Sequence, residues 1–146
     1  MNKVKDYIPH REPFLFVDDI IEVSNSNIKT KKYISSEEYY FKGHYPNYPL
    51  MPGVLICESI LQSGAVLIAH ITEENIKDDV PVVTRMNNIK FKKMVLPGNT
   101  IEMSVELIDK KSNVYYLKGV AKVDQKLVLS LDFACGLVKK EAMELK

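Results

Sequence analysis

The chain has 146 residues, 46% of them hydrophobic, which suits one globular domain with its own core. Its net charge is +1, from 20 basic and 19 acidic residues, and this balance excludes the basic excess typical of nucleic-acid-binding domains. No continuous apolar run reaches the roughly 20 residues of a membrane span, and MNKVKDYIPHREP contains no apolar secretory segment. We therefore expect one cytoplasmic domain over residues 1–146.

Two strands and a loop are predicted before residue 52. Phe14–Val23 is rich in β-forming residues, and Ile28–Ile34 can pair with it across the turn-like run Ser24–Asn27. Ser35–Pro52 is dense in aromatic residues and proline, which predicts an irregular loop.

A long helix is predicted next, over Val54–Ile71. It is apolar on nearly every side, which is typical of a helix buried in a core. Glu58, Gln62 and His70 interrupt it, and Asn75 with its charged neighbours ends it.

The remaining strands form a meander. Thr100–Leu107 alternates strictly between apolar and polar residues, which indicates a half-buried strand. Val114–Val123 and Leu127–Val138 follow, joined near Asp124-Gln125, and such short connections favour antiparallel pairing. We expect an α+β fold in which one antiparallel sheet wraps around one helix.

Glu58 is the most informative residue because it stands within the apolar helix. An unpaired buried charge is costly, so such a carboxyl shifts its pKa or finds partners. Gln62 is four residues further on the same helical face and is a candidate partner. A buried carboxyl with a raised pKa is protonated near neutral pH and can donate a proton. The alternative is an ordinary glutamate on the one wet stripe of the helix.

His44, in FKGHYPNYPLMPG, is a candidate base. Gly43 permits unusual backbone angles beside it, and the prolines that follow stiffen the loop. Free histidine titrates near pH ~6.5, which suits proton abstraction, although a lone histidine is often structural. His10 and His70 have no comparable partner in the sequence, and we interpret both as structural.

Gly53, at the start of the helix, is the third element. The first backbone N–H groups of a helix are unpaired and can bind a developing oxyanion; the alternative is a plain helix start. A base, an acid and an oxyanion site together suit elimination of water beside a thioester carbonyl, which needs no metal or redox cofactor. Cys57 and Cys135 lie in apolar runs without metal-ligand spacing, so we expect buried free thiols.

The segment FKGHYPNYPLMPGVLICESILQ resembles the active-site segment of the (3R)-hydroxyacyl-[acyl-carrier-protein] dehydratases of bacterial fatty-acid synthesis, with the histidine and the helical glutamate 14 residues apart. IPHREPFLFVD, FKKMVLPGN and VAKVDQKLVLSLDFAC resemble further segments of that family, so the resemblance covers nearly the whole chain. It implies a hot-dog fold and a catalytic homodimer, often assembled into a trimer of dimers. It also implies that His44 and Glu58 are catalytic and come from different subunits, and that Gly53 binds the thioester carbonyl.

A basic cluster is a second candidate site: within nine residues of sequence that contain no acid lie Arg85, Lys90, Lys92 and Lys93. Its ordinary interpretation is a solvated face, but the resemblance favours a docking surface for the acidic acyl carrier protein. Asn47-Tyr48 stands where the family commonly has Gly-Arg, which leaves open a specialised polyene or polyketide-like pathway. A hot-dog acyl thioesterase and a non-catalytic acyl-binding subunit are further alternatives; the spacing of His44 and Glu58 argues against the latter.

Overall fold

The computed structural model describes residues 3–73 and 79–143. A short helix α1 (Val4–Tyr7) and two strands, β1 (Asp19–Val23) and β2 (Asn27–Tyr33), precede the long helix α2 (Gly53–Thr72). Four strands follow it: β3 (Asp79–Phe91), β4 (Thr100–Lys111), β5 (Val114–Val123) and β6 (Lys126–Lys139). Short 3-10 helices cover Tyr39–Lys42 and Lys140–Met143. The predicted helix end at Asn75 lies outside the described residues.

The six strands form one sheet in the order β1-β2-β4-β5-β6-β3, and all neighbours are antiparallel. The turn between β5 and β6 consists of Asp124 and Gln125, both with positive φ (50° and 67°), which matches the twist of a tight hairpin. The meander and the wrapped helix confirm the predicted α+β architecture and the hot-dog fold that the resemblance implies.

Helix α2 is the core of the fold. Every residue from Ser59 to Ala69 is buried, as its apolar circumference predicts. The sheet approaches closely: a Cβ atom on Gly64 would lie 2.7 Å from the Phe133 ring, and one on Gly119 would lie 2.2 Å from the Ile60 side chain. By length and hydropathy α2 could also cross a bilayer, but 67% of its apolar window is buried inside the protein, as in a core helix.

Two parts of the sheet differ from the sequence-based expectation. The first strand begins at Asp19 and not at Phe14. Strand β3 was not delineated from the residue pattern, because it lies at the sheet edge and exposes most of its residues on both faces. The prediction of buried free thiols is confirmed for Cys57 and Cys135.

Candidate active site

Glu58 lies one and a half turns into α2 with 21% of its side chain exposed. Gln62 Nε2 donates a hydrogen bond to Glu58 Oε1 at 3.1 Å, as their spacing predicts. Burial raises the pKa of Glu58, and the bond from Gln62 lowers it by less. The carboxyl is therefore a half-buried acid and not a glutamate on a wet stripe.

Gln62 also anchors the N-terminal segment beside Glu58. Gln62 is 1% exposed, and its side-chain amide donates to the Phe14 carbonyl at 2.9 Å and accepts from the Phe16 N–H at 2.8 Å. These bonds replace the strand pairing that the β-forming residues of this segment predict, which explains the late start of β1.

His10, for which the sequence offers no comparable partner, also lies beside the acid. Its Nε2 lies 3.7 Å from Glu58 Oε1. Its Nδ1 is buried without a hydrogen-bond partner among the described residues. Burial, and then the charge of Arg11, lower the pKa of His10, so the ring is neutral at pH 7. The contact spans 48 residues of sequence, and no local pattern reveals it.

Glu58 faces a cavity of about 500 Å³ between α2, the N-terminal segment and the sheet. Its lining is mostly apolar, which suits an acyl chain. The lining residues are Pro9, His10, Glu58, Leu61, Gln62, Ala65, Val80, Pro81, Val82, Val83, Cys135 and Lys140.

His44 follows the 3-10 helix Tyr39–Lys42, which buries Tyr40 and Phe41 and so fixes the loop to the core. The His44 amide donates to the Tyr40 carbonyl at 2.9 Å. Nδ1 lies 2.9 Å from the Leu50 carbonyl oxygen. Because a carbonyl only accepts, the neutral form of the ring carries its proton on Nδ1 and leaves the lone pair of Nε2 free. His44 is thus presented in the tautomer that a base at Nε2 requires.

The unusual backbone angle of this loop lies at Tyr45 and not at Gly43. Tyr45 has φ 52°, whereas Gly43 has φ −118°. The Tyr45 ring packs edge-on against the His44 ring, with centroids 4.7 Å apart. A tyrosine in the left-handed region is uncommon, and here it turns the chain directly after the candidate base.

Gly53 begins α2 after Pro52. The amides of Leu55 and Ile56 bond to the Pro52 carbonyl, while in the described ranges the Gly53 amide makes no backbone hydrogen bond. A Cβ atom on Gly53 would lie 2.5 Å from the Phe91 ring, so glycine permits the close approach of β3. The helix start therefore retains an unpaired donor, as an oxyanion site requires.

Within the described part of one chain, His44 and Glu58 share no hydrogen bond or ion pair, and His44 is absent from the lining of the Glu58 cavity. Strand β3 connects the two places. Its first residues line the Glu58 cavity, and its last residue, Phe91, packs on Gly53. The opposite edge of β3 has no partner strand in the described sheet.

The four residues of the basic cluster are all exposed. None makes an ion pair with another described residue. Lys92 and Lys93 follow the end of β3, where their amides bond to the Val128 carbonyl, whereas Arg85 lies in the middle of the strand.

Known proteins resemble the chain over most of its length. A family model described as the FabA-like domain matches residues 8–132. Over 139 residues the chain is 37% identical to the 3-hydroxyacyl-[acyl-carrier-protein] dehydratase FabZ of Petrotoga mobilis, which covers 95% of this chain and 98% of that protein. Over 138 residues it is 40% identical to the FabZ dehydratase of Clostridium perfringens strain SM101, and this match covers 93% of this chain and 98% of that protein.

Two solved structures share the fold. The dehydratase heterocomplex ApeI:P from Xenorhabdus doucetiae matches with a TM-score of 0.83 at 13% identity, over 98% of this chain and 95% of that one. A hypothetical thioesterase from Streptococcus pneumoniae TIGR4 matches with a TM-score of 0.65 at 8% identity, over 83% of this chain and 85% of that one. At these identities the likeness is one of architecture.

Proposed function

Because the chain belongs to the FabA-like family, we propose that it dehydrates 3-hydroxyacyl thioesters carried on acyl carrier protein, forming trans-2-enoyl thioesters for acyl-chain synthesis. The relatives at 37% and 40% identity carry the name of this activity. In this chain, Glu58 supports the proposal most strongly, because it is a carboxyl with a raised pKa on a buried helix and faces a mostly apolar cavity.

The proposed mechanism assigns one role to each group. His44 Nε2 removes the C2 proton of the substrate, and the Gly53 amide stabilises the negative charge that develops on the thioester oxygen. Protonated Glu58 delivers its proton to the C3 hydroxyl, which leaves as water while the C2–C3 double bond forms. Gln62 supports Glu58 through the bond to Oε1. No cofactor takes part.

We further propose that each site combines groups from two copies of the chain. In a two-fold dimer whose β3 strands pair antiparallel, the beginning of one strand lies against the end of the other. The beginning of β3 lines the Glu58 cavity, and its end contacts Gly53. Such pairing therefore brings the partner's helix start and its His44 loop toward this chain's Glu58. A long unpaired strand is an association surface in general.

The proposal also covers carrier-protein docking, localisation and assembly. Lys90, Lys92 and Lys93 are exposed at and just beyond the end of β3, where the proposed dimer forms its site, and Arg85 extends the same charge along the strand. This position supports docking of an acidic carrier protein beside the cavity entrance. We place the enzyme in the cytoplasm, in keeping with its two free thiols, with trimerisation of dimers as a further level of assembly.

The identity of the product tests the proposal. The protein is incubated with a 3-hydroxybutyryl thioester and with longer analogues, and both the absorbance of the conjugated enoyl thioester and the release of free thiol are followed. Dehydration gives the absorbance without thiol, whereas release of thiol without the absorbance would contradict the proposal in favour of a thioesterase. His44→Ala and Glu58→Gln should each lower kcat by roughly 10²–10⁴ with a native circular dichroism spectrum.

A further inference from the structure

Two side-chain nitrogens, one from Gln62 and one from His10, lie near the same oxygen of Glu58. Gln62 Nε2 lies 3.1 Å from Oε1, and His10 Nε2 lies 3.7 Å from the same atom. Both side chains line the cavity that Glu58 faces. Within the described residues, Oε2 has no hydrogen-bond partner.

The surroundings of His10 fix the position of its ring proton. Nδ1 is buried without a partner. A buried N–H without a partner is rarer than a buried acceptor without one, so the proton of the neutral ring belongs on Nε2. The N–H group then points at Glu58 Oε1, and closing the gap by about half an ångström makes a hydrogen bond.

From this geometry we propose that His10 is a positioning residue for the acid: with Gln62 it holds Oε1 as the accepting oxygen of the carboxyl, so that the acidic proton stands on Oε2 and is free for the substrate. The inference rests on the proposed function, in which Glu58 is the proton donor. A carboxyl with two donors on one oxygen has a single orientation, and correct orientation is a large part of acid catalysis.

The other groups around Glu58 do not supply this contact. Arg11 belongs to the same segment as His10, but its guanidinium bonds to backbone carbonyls of that segment. Cys135 lines the cavity from the second half of β6, and Lys140 lines it from the start of the 3-10 helix that follows. Neither makes a hydrogen bond or ion pair to Glu58. Cys57 is the chain neighbour of Glu58, and burial raises the pKa of its thiol, which keeps it neutral.

The test compares replacements of His10 that keep or remove the donor. His10→Phe keeps an aromatic ring but has no N–H, and it should lower kcat roughly three- to tenfold, the effect of losing one hydrogen bond, with KM little changed. Protonated Glu58 is required, so activity falls as the pH rises through its pKa; without the donor the carboxylate is less stable, and this fall should move to higher pH. His10→Gln keeps an N–H donor and should restore part of kcat. His70→Phe, at the distant end of α2, is the matched control and should change neither kcat nor the pH at which activity falls.

Each outcome of this comparison either supports or overturns the role of His10. Wild-type kcat and an unmoved pH profile in His10→Phe would overturn the inference. An equal loss in the Phe and Gln variants with no pH displacement would also overturn it, since that is the behaviour of a merely structural residue. If His10→Phe does not fold, His10→Leu takes its place in the comparison with His10→Gln. Glu58→Gln is assayed alongside: if it stays active, the proposed function fails, whereas an inactive Glu58→Gln beside a normal His10→Phe refutes only the role of His10.

Discussion

Gln62 connects the stability of the fold to the acid, so replacing it should affect both. Gln62→Met keeps the length of the side chain and removes all three of its hydrogen bonds. The Phe16 N–H, on a residue 1% exposed, is then left without a partner, while the Phe14 carbonyl, on a residue 45% exposed, can bond to water. An unpaired buried group costs about 1–3 kcal/mol, so we expect the free energy of unfolding to fall by about 2–3 kcal/mol. For a domain of this size Tm should drop by roughly 4–12 °C.

The same replacement removes one donor from Glu58 Oε1, and kcat should fall roughly three- to tenfold. Unfolding in urea and steady-state dehydration of a soluble thioester measure the two effects. Ser63→Ala is the matched control: Ser63 is fully buried on the same helix and bonds to Thr30 Oγ1 at 2.7 Å, but does not touch Glu58. It should destabilise the protein and leave kcat unchanged. A Gln62→Met protein as stable as the wild type, or one that is destabilised but fully active, would refute this reasoning.

Two further predictions concern charge. The raised pKa of Glu58 means that folding disfavours its ionised form, so the wild type loses stability as the pH rises from the unfolded pKa of ~4.3 through the higher folded value. Glu58→Gln should therefore be more stable than the wild type at pH 8 and show less of this advantage at pH 4 in urea unfolding; an advantage that does not depend on pH would contradict the assignment. Replacing Lys90, Lys92 and Lys93 with Glu should slow turnover of carrier-protein substrates more than of short soluble thioesters, and added salt should reduce the difference. Equal losses on both substrates would exclude a docking role.

The architecture could be predicted from the sequence because it depends on local hydrophobic patterns. Strict alternation over Thr100–Leu107 and an apolar circumference over Val54–Ile71 follow directly from the periods of strand and helix, and both are present in the structure. Strand β3 lacked such a signal, since an edge strand of an isolated chain exposes both of its faces. In the proposed dimer, the partner's β3 would cover part of this exposed edge.

The acid was predictable for the same reason, because a carboxyl within a buried helix stands out in the sequence. Its pairing with Gln62 follows from helical spacing alone. The position of His10 does not, because it results from the N-terminal segment being tied to α2 by Gln62. The left-handed angle at Tyr45 was also missed, since glycine and not tyrosine is the residue that indicates such angles. The sequence pattern therefore did not predict the features that depend on non-local contacts or on an unusual backbone angle.

A complementation experiment tests directly whether His44 of one chain works with Glu58 of another. Inactive His44→Ala and Glu58→Gln chains are mixed in equal amounts, unfolded and refolded together, with refolding of the wild type as the control. Random pairing makes half of the dimers mixed, and one of the two sites in each mixed dimer then has an intact histidine and an intact glutamate. With a shared site, about a quarter of wild-type activity should therefore be recovered. If the wild type refolds and the mixture stays as inactive as its two parents, the shared site is contradicted.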